Sequence, residues 1–290
     1  MSKIGFLTDS CSDIPQELAD KYGIEVVGFP INLDGVEYME RKDFTNDQFY
    51  QMMRDAQGVP TTAAITQLQF CDIYARYADE GYTDLVYLSI NAGGSSTYNN
   101  AVKAMELLEE ERPGYTMKIQ VIDSHTYSMP YGWYFCECAR KVRNGGELDS
   151  CVAELKQKLD CVEICLAAYS LKQMKKSGRI SAAAAVMGEL MGVRPIITLI
   201  DGKTKVESKV RGDDKVVPAM IELCKKRADG VENFDYMIGH TNIKQAEDLE
   251  KACRKAFGKA PLVVFELGGV VSANTGPDTV ALVYTGHPRG

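Results

Sequence analysis

Apolar positions along the chain follow two periods that alternate. Leu85, Val86, Tyr87, Leu88 and Ile90 form a near-continuous apolar run after Gly81, as expected of a strand covered on both faces. Helical spacing resumes at Tyr98, Ala101, Val102, Met105 and Leu108. Between the two lie Asn91, Gly93, Gly94, Ser95, Ser96 and Thr97, small polar residues at the end of a strand and the first turn of a helix. Backbone N–H groups and hydroxyls converge at such a corner and favour an anion. A well-capped strand-to-helix turn would use the same residues.

The alternation recurs on either side. Residues 4–7 predict a strand opening into Thr8-Asp9-Ser10-Cys11-Ser12-Asp13, and Pro15 starts a helix through Tyr22, with Asp13 and Gln16 at capping-box spacing. Residues 24–31 predict a second strand, Asp34-Gly35 a hairpin turn, and residues 46–56 a helix. Pro60-Thr61-Thr62 falls in a loop, and Thr66 with Gln69 predicts a capped helix to about residue 78. A further strand, 117–123, ends in Asp123-Ser124-His125-Thr126. Strands alternating with helices predict a parallel sheet covered on both faces.

Helices at 130–143 and 147–159 lead to a strand at 161–168. Gly178 ends the next helix, Ser181 caps another, and residues 182–191 are small and apolar, suited to close packing or to lining a lipophilic channel. Residues 195–200 and 203–210 predict a hairpin around Asp201-Gly202, followed by a helix at 215–227, a strand at 236–239 and a helix at 243–257. Two last strands, 262–266 and 280–284, flank a glycine-rich stretch at 268–277. The fold class is therefore α/β. A mostly parallel, Rossmann-like N-terminal sandwich domain spans residues 1–160, and a smaller C-terminal α/β domain with a mixed sheet spans 161–290.

Composition narrows the function. At 290 residues the chain exceeds the usual size of a single core, and 45% hydrophobic with 25% charged residues is ordinary for a globular protein. A net charge of −7 argues against a nucleic-acid partner. The N-terminus reaches a polar turn too soon for a signal peptide, and charges interrupt every long apolar run. The expectation is a cytoplasmic protein without stable membrane insertion. Nine scattered cysteines without a CxxC predict reduced core thiols, and three histidines leave little for a metal site. Asp9 has no second carboxylate motif beside it and is expected to stabilise a turn. His125 lies on a strand-end loop, where most histidines are solvated or structural. No Walker loop or G-x-G-x-x-G follows a strand.

Segments in order along the whole chain resemble the DegV family of bacterial fatty-acid-binding proteins. They are Thr8-Asp9-Ser10, Pro60-Thr61-Thr62, Ser95-Ser96-Thr97-Tyr98, Asp123-Ser124, Leu171-Lys172-x-x-Lys175-Lys176-Ser177-Gly178-Arg179-Ile180, Pro195-Ile196-Ile197, Lys209-Val210-Arg211 and the late Gly-Pro segment. The resemblance implies a lipid carrier without catalysis or cofactor of its own. It would hold one long-chain fatty acid such as palmitate between two domains, with the tail against residues 182–191 and 196–200. Its partner would be a separate fatty acid kinase, to which the carboxylate is presented.

By the same resemblance, Thr61 and Ser95 match hydroxyls that bind the carboxylate, with Thr62, Ser96 and Gly94 beside them, and Arg211 matches a contact to the kinase. The chain departs from the family in two places. Ile90-Asn91-Ala92-Gly93 stands where Leu-Ser-Ser-Gly is usual, and Asn274 stands where a His is usual, leaving a neutral third contact that cannot carry a charge. The alternative from another class is a hydrolase or acyltransferase with Ser95 as nucleophile. It needs His125 or His240 as a base and lacks the G-x-S-x-G elbow.

Overall fold

The computed structural model describes residues 2–180, 192–232 and 234–289, so the small apolar stretch at 182–191 and the Ser181 cap lie outside the described residues. By contacts the chain divides into two compact units, Met1–Pro30 with Ala63–Leu159, and Ile31–Thr62 with Asp160–Gly290. The first unit opens with β1 (Ile4–Asp9), α1 (Gln16–Tyr22) and β2 (Ile24–Val27). The chain then leaves it for β3 (Pro30–Leu33), β4 (Val36–Met39), α2 (Asn46–Asp55) and β5 (Thr61–Thr62). It returns as α3 (Gln67–Asp79), β6 (Asp84–Ser89), α4 (Thr97–Glu111), β7 (Lys118–Asp123), α5 (Met129–Arg143) and α6 (Leu148–Asp160).

Four parallel strands in the order β2-β1-β6-β7 form the sheet of this unit. Leu85 to Leu88 are fully buried, which is why no polar alternation marks β6. On one face Phe6, Val86, Leu88 and Ile122 pack with Tyr131, Phe135 and Leu155 of α5 and α6, and the Phe6 and Phe135 rings meet edge-on at 5.7 Å. On the other, Tyr87 meets Phe70 of α3 at 4.9 Å, and α3 packs against α4. Parallel strands place every carboxyl end, and so every β-to-α loop, on one edge.

The second unit continues with β8 (Val162–Ala168), α7 (Lys172–Ser177), β9 (Val193–Ile200), β10 (Lys203–Arg211), α8 (Val216–Arg227), β11 (Tyr236–His240), α9 (Ile243–Phe257), β12 (Val264–Glu266), α10 (Gly269–Thr275) and β13 (Thr279–Thr285). Its six strands run in the order β10-β9-β8-β13-β11-β12 and pair antiparallel except β11 with β12, the mixed sheet expected. Asp201 and Gly202 both have positive φ, 50° and 68°, as the two-residue hairpin turn requires. Met220, Cys224, Leu249 and Cys253 of α8 and α9 close over Cys165, Ile196 and Leu282.

Four features differ from the sequence reading. The strand expected at 24–31 breaks into β2 and β3, in separate sheets, with the Phe29 N–H donating to Ser10 Oγ at the break. Residues 31–62, expected in the first domain, group with the second unit, so the unit expected to be smaller is the larger in residues. The reason is pairing: β3 joins β4 and β5 in a three-stranded sheet, and the Tyr50 hydroxyl of α2 donates to the Leu267 carbonyl. The residue at the N-cap of α1 is Pro15 rather than Asp13, which is left-handed and whose carboxylate accepts from the Ser128 hydroxyl. The glycine-rich stretch at 268–277 contains α10, with Glu40 Oε1 accepting from the Val270 N–H at 3.0 Å.

Candidate functional site

The turn between β6 and α4 is built from hydrogen bonds that use up its own amides in sequence. Ile90 N–H donates to Asp9 Oδ2 at 2.8 Å, Asn91 N–H to the Thr126 carbonyl at 3.1 Å and Ala92 N–H to Asp123 Oδ1 at 3.1 Å. Gly93 N–H donates to Asn91 Oδ1 at 3.1 Å and Gly94 N–H to the Asn91 carbonyl at 3.0 Å. Five consecutive donors are thus satisfied. The series then stops: the amides of Ser95, Ser96, Tyr98 and Asn99 take no hydrogen bond among the described residues.

These are the first-turn donors of a 15-residue helix, and its N-cap, Ser96, makes no side-chain capping bond. Ser95 Oγ lies 2.8 Å from Thr97 Oγ1 and accepts from Thr97 N–H at 3.3 Å. With the buried Thr97 hydroxyl donating, the Ser95 proton is left for an acceptor. Open amides, a hydroxyl and the positive end of a helix dipole are groups that favour an anion. As a nucleophile Ser95 has only the Thr97 hydroxyl beside it among the described residues, and a hydroxyl is not a base. His125 is exposed, 3.5 Å from Asp123, and His240 is buried in the second unit with its affinity for a proton lowered by that burial.

Beneath the turn sits Asp9, fully buried. It accepts from the Tyr87 hydroxyl at 2.9 Å, the Tyr131 hydroxyl at 2.7 Å and the Ile90 amide. Burial pushes its pKa up to about 6 against the opposing pull of those donors. Asp9 therefore does stabilise a turn, but that of β6–α4, 81 residues away. Asn91, 4% exposed, completes the frame, its Nδ2 donating to the Tyr127 hydroxyl at 2.9 Å. Sequence alone missed Tyr127 altogether, and its only signal was proximity to the strand-end Asp123-Ser124.

Gly94, Ser95 and Ser96 belong to this corner of the first unit, whereas Thr61, Thr62, Asn274 and Arg211 belong to the second. Thr61 and Thr62 form β5, paired with Asn32 and Ile31, Thr61 exposed and Thr62 half-buried. Asn274, half-buried on α10, turns one amide donor back onto the Val270 carbonyl at 2.7 Å. Arg211 ends β10, exposed, and forms no ion pair among the described residues. The nine cysteines are free, and burial pushes the Cys138 and Cys253 thiols up to about 12, which keeps them protonated. Among the described residues no cluster of His, Cys, Asp or Glu could hold a metal, and no helix is long and apolar enough to cross a membrane.

A model of the DegV family, described as uncharacterised protein, DegV family, matches residues 3–286. A DegV domain-containing protein of Staphylococcus aureus is 29% identical over 291 residues, covering 98% of each chain. One from Caldanaerobacter subterraneus is 27% identical over 287 residues, covering 98% of this chain and 99% of the relative. Among solved structures, a fatty acid binding DegV family protein from Streptococcus agalactiae superposes with a TM-score of 0.85 at 28% identity over the full length of both chains. A DegV family protein from Thermus thermophilus, described for its fatty acid binding, gives 0.82 at 27% identity, covering 98% of this chain and all of the other.

Proposed function

The chain belongs to the DegV family, and on that footing we propose that it binds one long-chain fatty acid, receiving the carboxylate at the start of α4. The observation that carries this reading is the abrupt end of amide pairing at Ser95, which leaves four open donors beside a serine hydroxyl. Two relatives of the same fold over their whole length are described as fatty acid binding, which supports the ligand class. A carboxylate satisfies such donors with charge-assisted hydrogen bonds, each worth about 1.5–3 kcal/mol. The alkyl tail adds about 0.8 kcal/mol per buried methylene.

In the second unit, Thr61, Thr62 and Asn274 are the proposed head-group contacts, and exposed Arg211 is the proposed contact to a kinase that accepts the presented carboxylate. Native mass spectrometry of protein from a bacterial host, with lipid extraction, should find one fatty acid per chain. Titration with palmitate should then show Ser95→Ala and Thr61→Ala binding about tenfold more weakly than wild type. Unchanged affinity in both variants would place the head group elsewhere. Equal affinity for C8 and C16 acids would argue against a buried tail.

A further inference from the structure

The β7–α5 loop, residues 124–128, leans on the anion-binding turn and is held in an unusual backbone conformation. His125 has φ 54°, and Ser128 has φ 68° with ψ −163°, a region that residues with a Cβ rarely occupy. Such strain persists only where neighbours enforce it. Here the Ser124 hydroxyl donates to the Thr126 carbonyl at 3.0 Å, His125 N–H donates to Asp123 Oδ1 at 2.9 Å, and the Ser128 hydroxyl donates to Asp13. The residue carried between the two strained positions is Tyr127. Its hydroxyl lies so close to Gly94 that a Cβ there would clash with it, so only glycine lets the turn lie against the ring.

Asn91 joins the two loops. Its amide donates to Thr126, its carbonyl accepts from Gly94, its Oδ1 accepts from Gly93 and its Nδ2 donates to the Tyr127 hydroxyl. A serine in its place could mimic the bond to the Gly93 amide, as in a Ser/Thr turn, but is too short to reach Tyr127 as well. The Asn91 side chain is therefore the only part of the turn that both shapes its backbone and ties it to a second loop through a side-chain bond among the described residues.

We propose that Asn91 and Tyr127 form a latch that holds the β6–α4 turn in the shape that aims the Ser95 and Ser96 amides at the ligand head group. They are positioning residues for the fatty-acid reading above and rest on it. Two consequences separate this role from plain structural support. Opening the latch should weaken binding of a charged head group but not of an uncharged ligand with the same tail. The tie between the loops needs both of its halves, so losing either should open it and losing the second should add nothing to that.

The test compares wild type, Tyr127→Phe, Asn91→Ser and the double variant, each titrated with palmitate and with hexadecanol. In parallel, amide hydrogen exchange is followed at residues 93–96 in ligand-free protein. Palmitate should bind about five- to tenfold more weakly to each single variant and no more weakly to the double, with hexadecanol affinity changed less than twofold. Exchange at Gly93 and Gly94 should quicken about tenfold. Equal losses for both ligands, additive losses in the double variant, or unaltered exchange would each overturn the latch. Should Asn91→Ser fail to fold, Tyr127→Phe alone keeps the comparison, because it removes one oxygen and leaves the ring in place. Wild-type protein that takes neither ligand would sink the fatty-acid reading, and the exchange rates would still decide whether the latch holds the turn.

Discussion

Replacing Asp9 by asparagine should alter how stability follows pH, and the structure fixes both sign and size. Burial lifts the Asp9 carboxyl from its usual 3.8 to about 6 in the folded protein. Between these values the folded state keeps a proton that the unfolded chain has released, so stability falls as pH rises through that window. At about 1.4 kcal/mol per pH unit the loss amounts to about 3 kcal/mol, complete a little above pH 6. Asparagine has the shape of the protonated acid and cannot ionise, so the bonds it forfeits to Tyr87, Tyr131 and Ile90 enter as an offset that does not vary with pH. The unfolding free energy of Asp9→Asn minus that of wild type should therefore climb by about 2 kcal/mol from pH 4 to pH 7, the rest of the change lying below pH 4. Groups titrating alike in both proteins cancel. The assay is urea unfolding at half-unit pH steps, with slopes compared to confirm that the same surface is exposed. A difference flat to within about 1 kcal/mol would refute the reasoning, and a falling one would mean that the ionised form is favoured by the fold.

The other expectations are local. Gly94→Ala should push the turn off Tyr127 and weaken palmitate binding at least about tenfold, read by titration against wild type at equal thermal midpoint. Thr66→Ala removes the reciprocal cap in which Thr66 Oγ1 accepts from Gln69 N–H at 3.2 Å, and should cost about 1 kcal/mol by chemical denaturation. Glu163→Gln strips the charge that Arg227 and the Tyr284 hydroxyl share in the second unit, and should cost about 2 kcal/mol or more. A loss under about 0.5 kcal/mol in that variant would mean that solvent screens the pair.

What could be read ahead of the structure was what is decided within a few residues. The Asp201-Gly202 turn and the Thr66–Gln69 cap came through because the backbone of the one and the reciprocal bonds of the other are set within a few residues. The seven-residue helix α10 did not: its sequence, Gly-Val-Val-Ser-Ala-Asn-Thr, has poor helix propensity, and its Val270 amide finds Glu40, 230 residues away. Asp13 has the spacing of a cap, but its long-range acceptor role toward Ser128, 115 residues away, has no local signal. At the candidate site the hydroxyls and glycines were visible as a composition, while the selection of which amides stay open was not. That selection depends on Asp9 and on Asp123 with the Thr126 carbonyl, which arrive from two other places in the chain.

The excursion of residues 31–62 has a consequence for synthesis. The Ala63 amide donates to the Pro30 carbonyl at 3.1 Å, so the segment departs from and rejoins the first unit at one spot. Everything that unit needs has been made by residue 159, and it can close around the stalk of a loop whose own partners do not yet exist. Ile31 and Tyr50, both buried in the finished protein, lie against Gly269 and Leu267 and must wait for the C-terminal third of the chain. Tyr50 bonds to Leu267, and the roughly 200 residues between them take about 10–40 s to translate. A first unit that closes during that interval would carry a hairpin and helix whose partners at Leu267 and Gly269 are still unmade, apolar surface of the kind that chaperones bind.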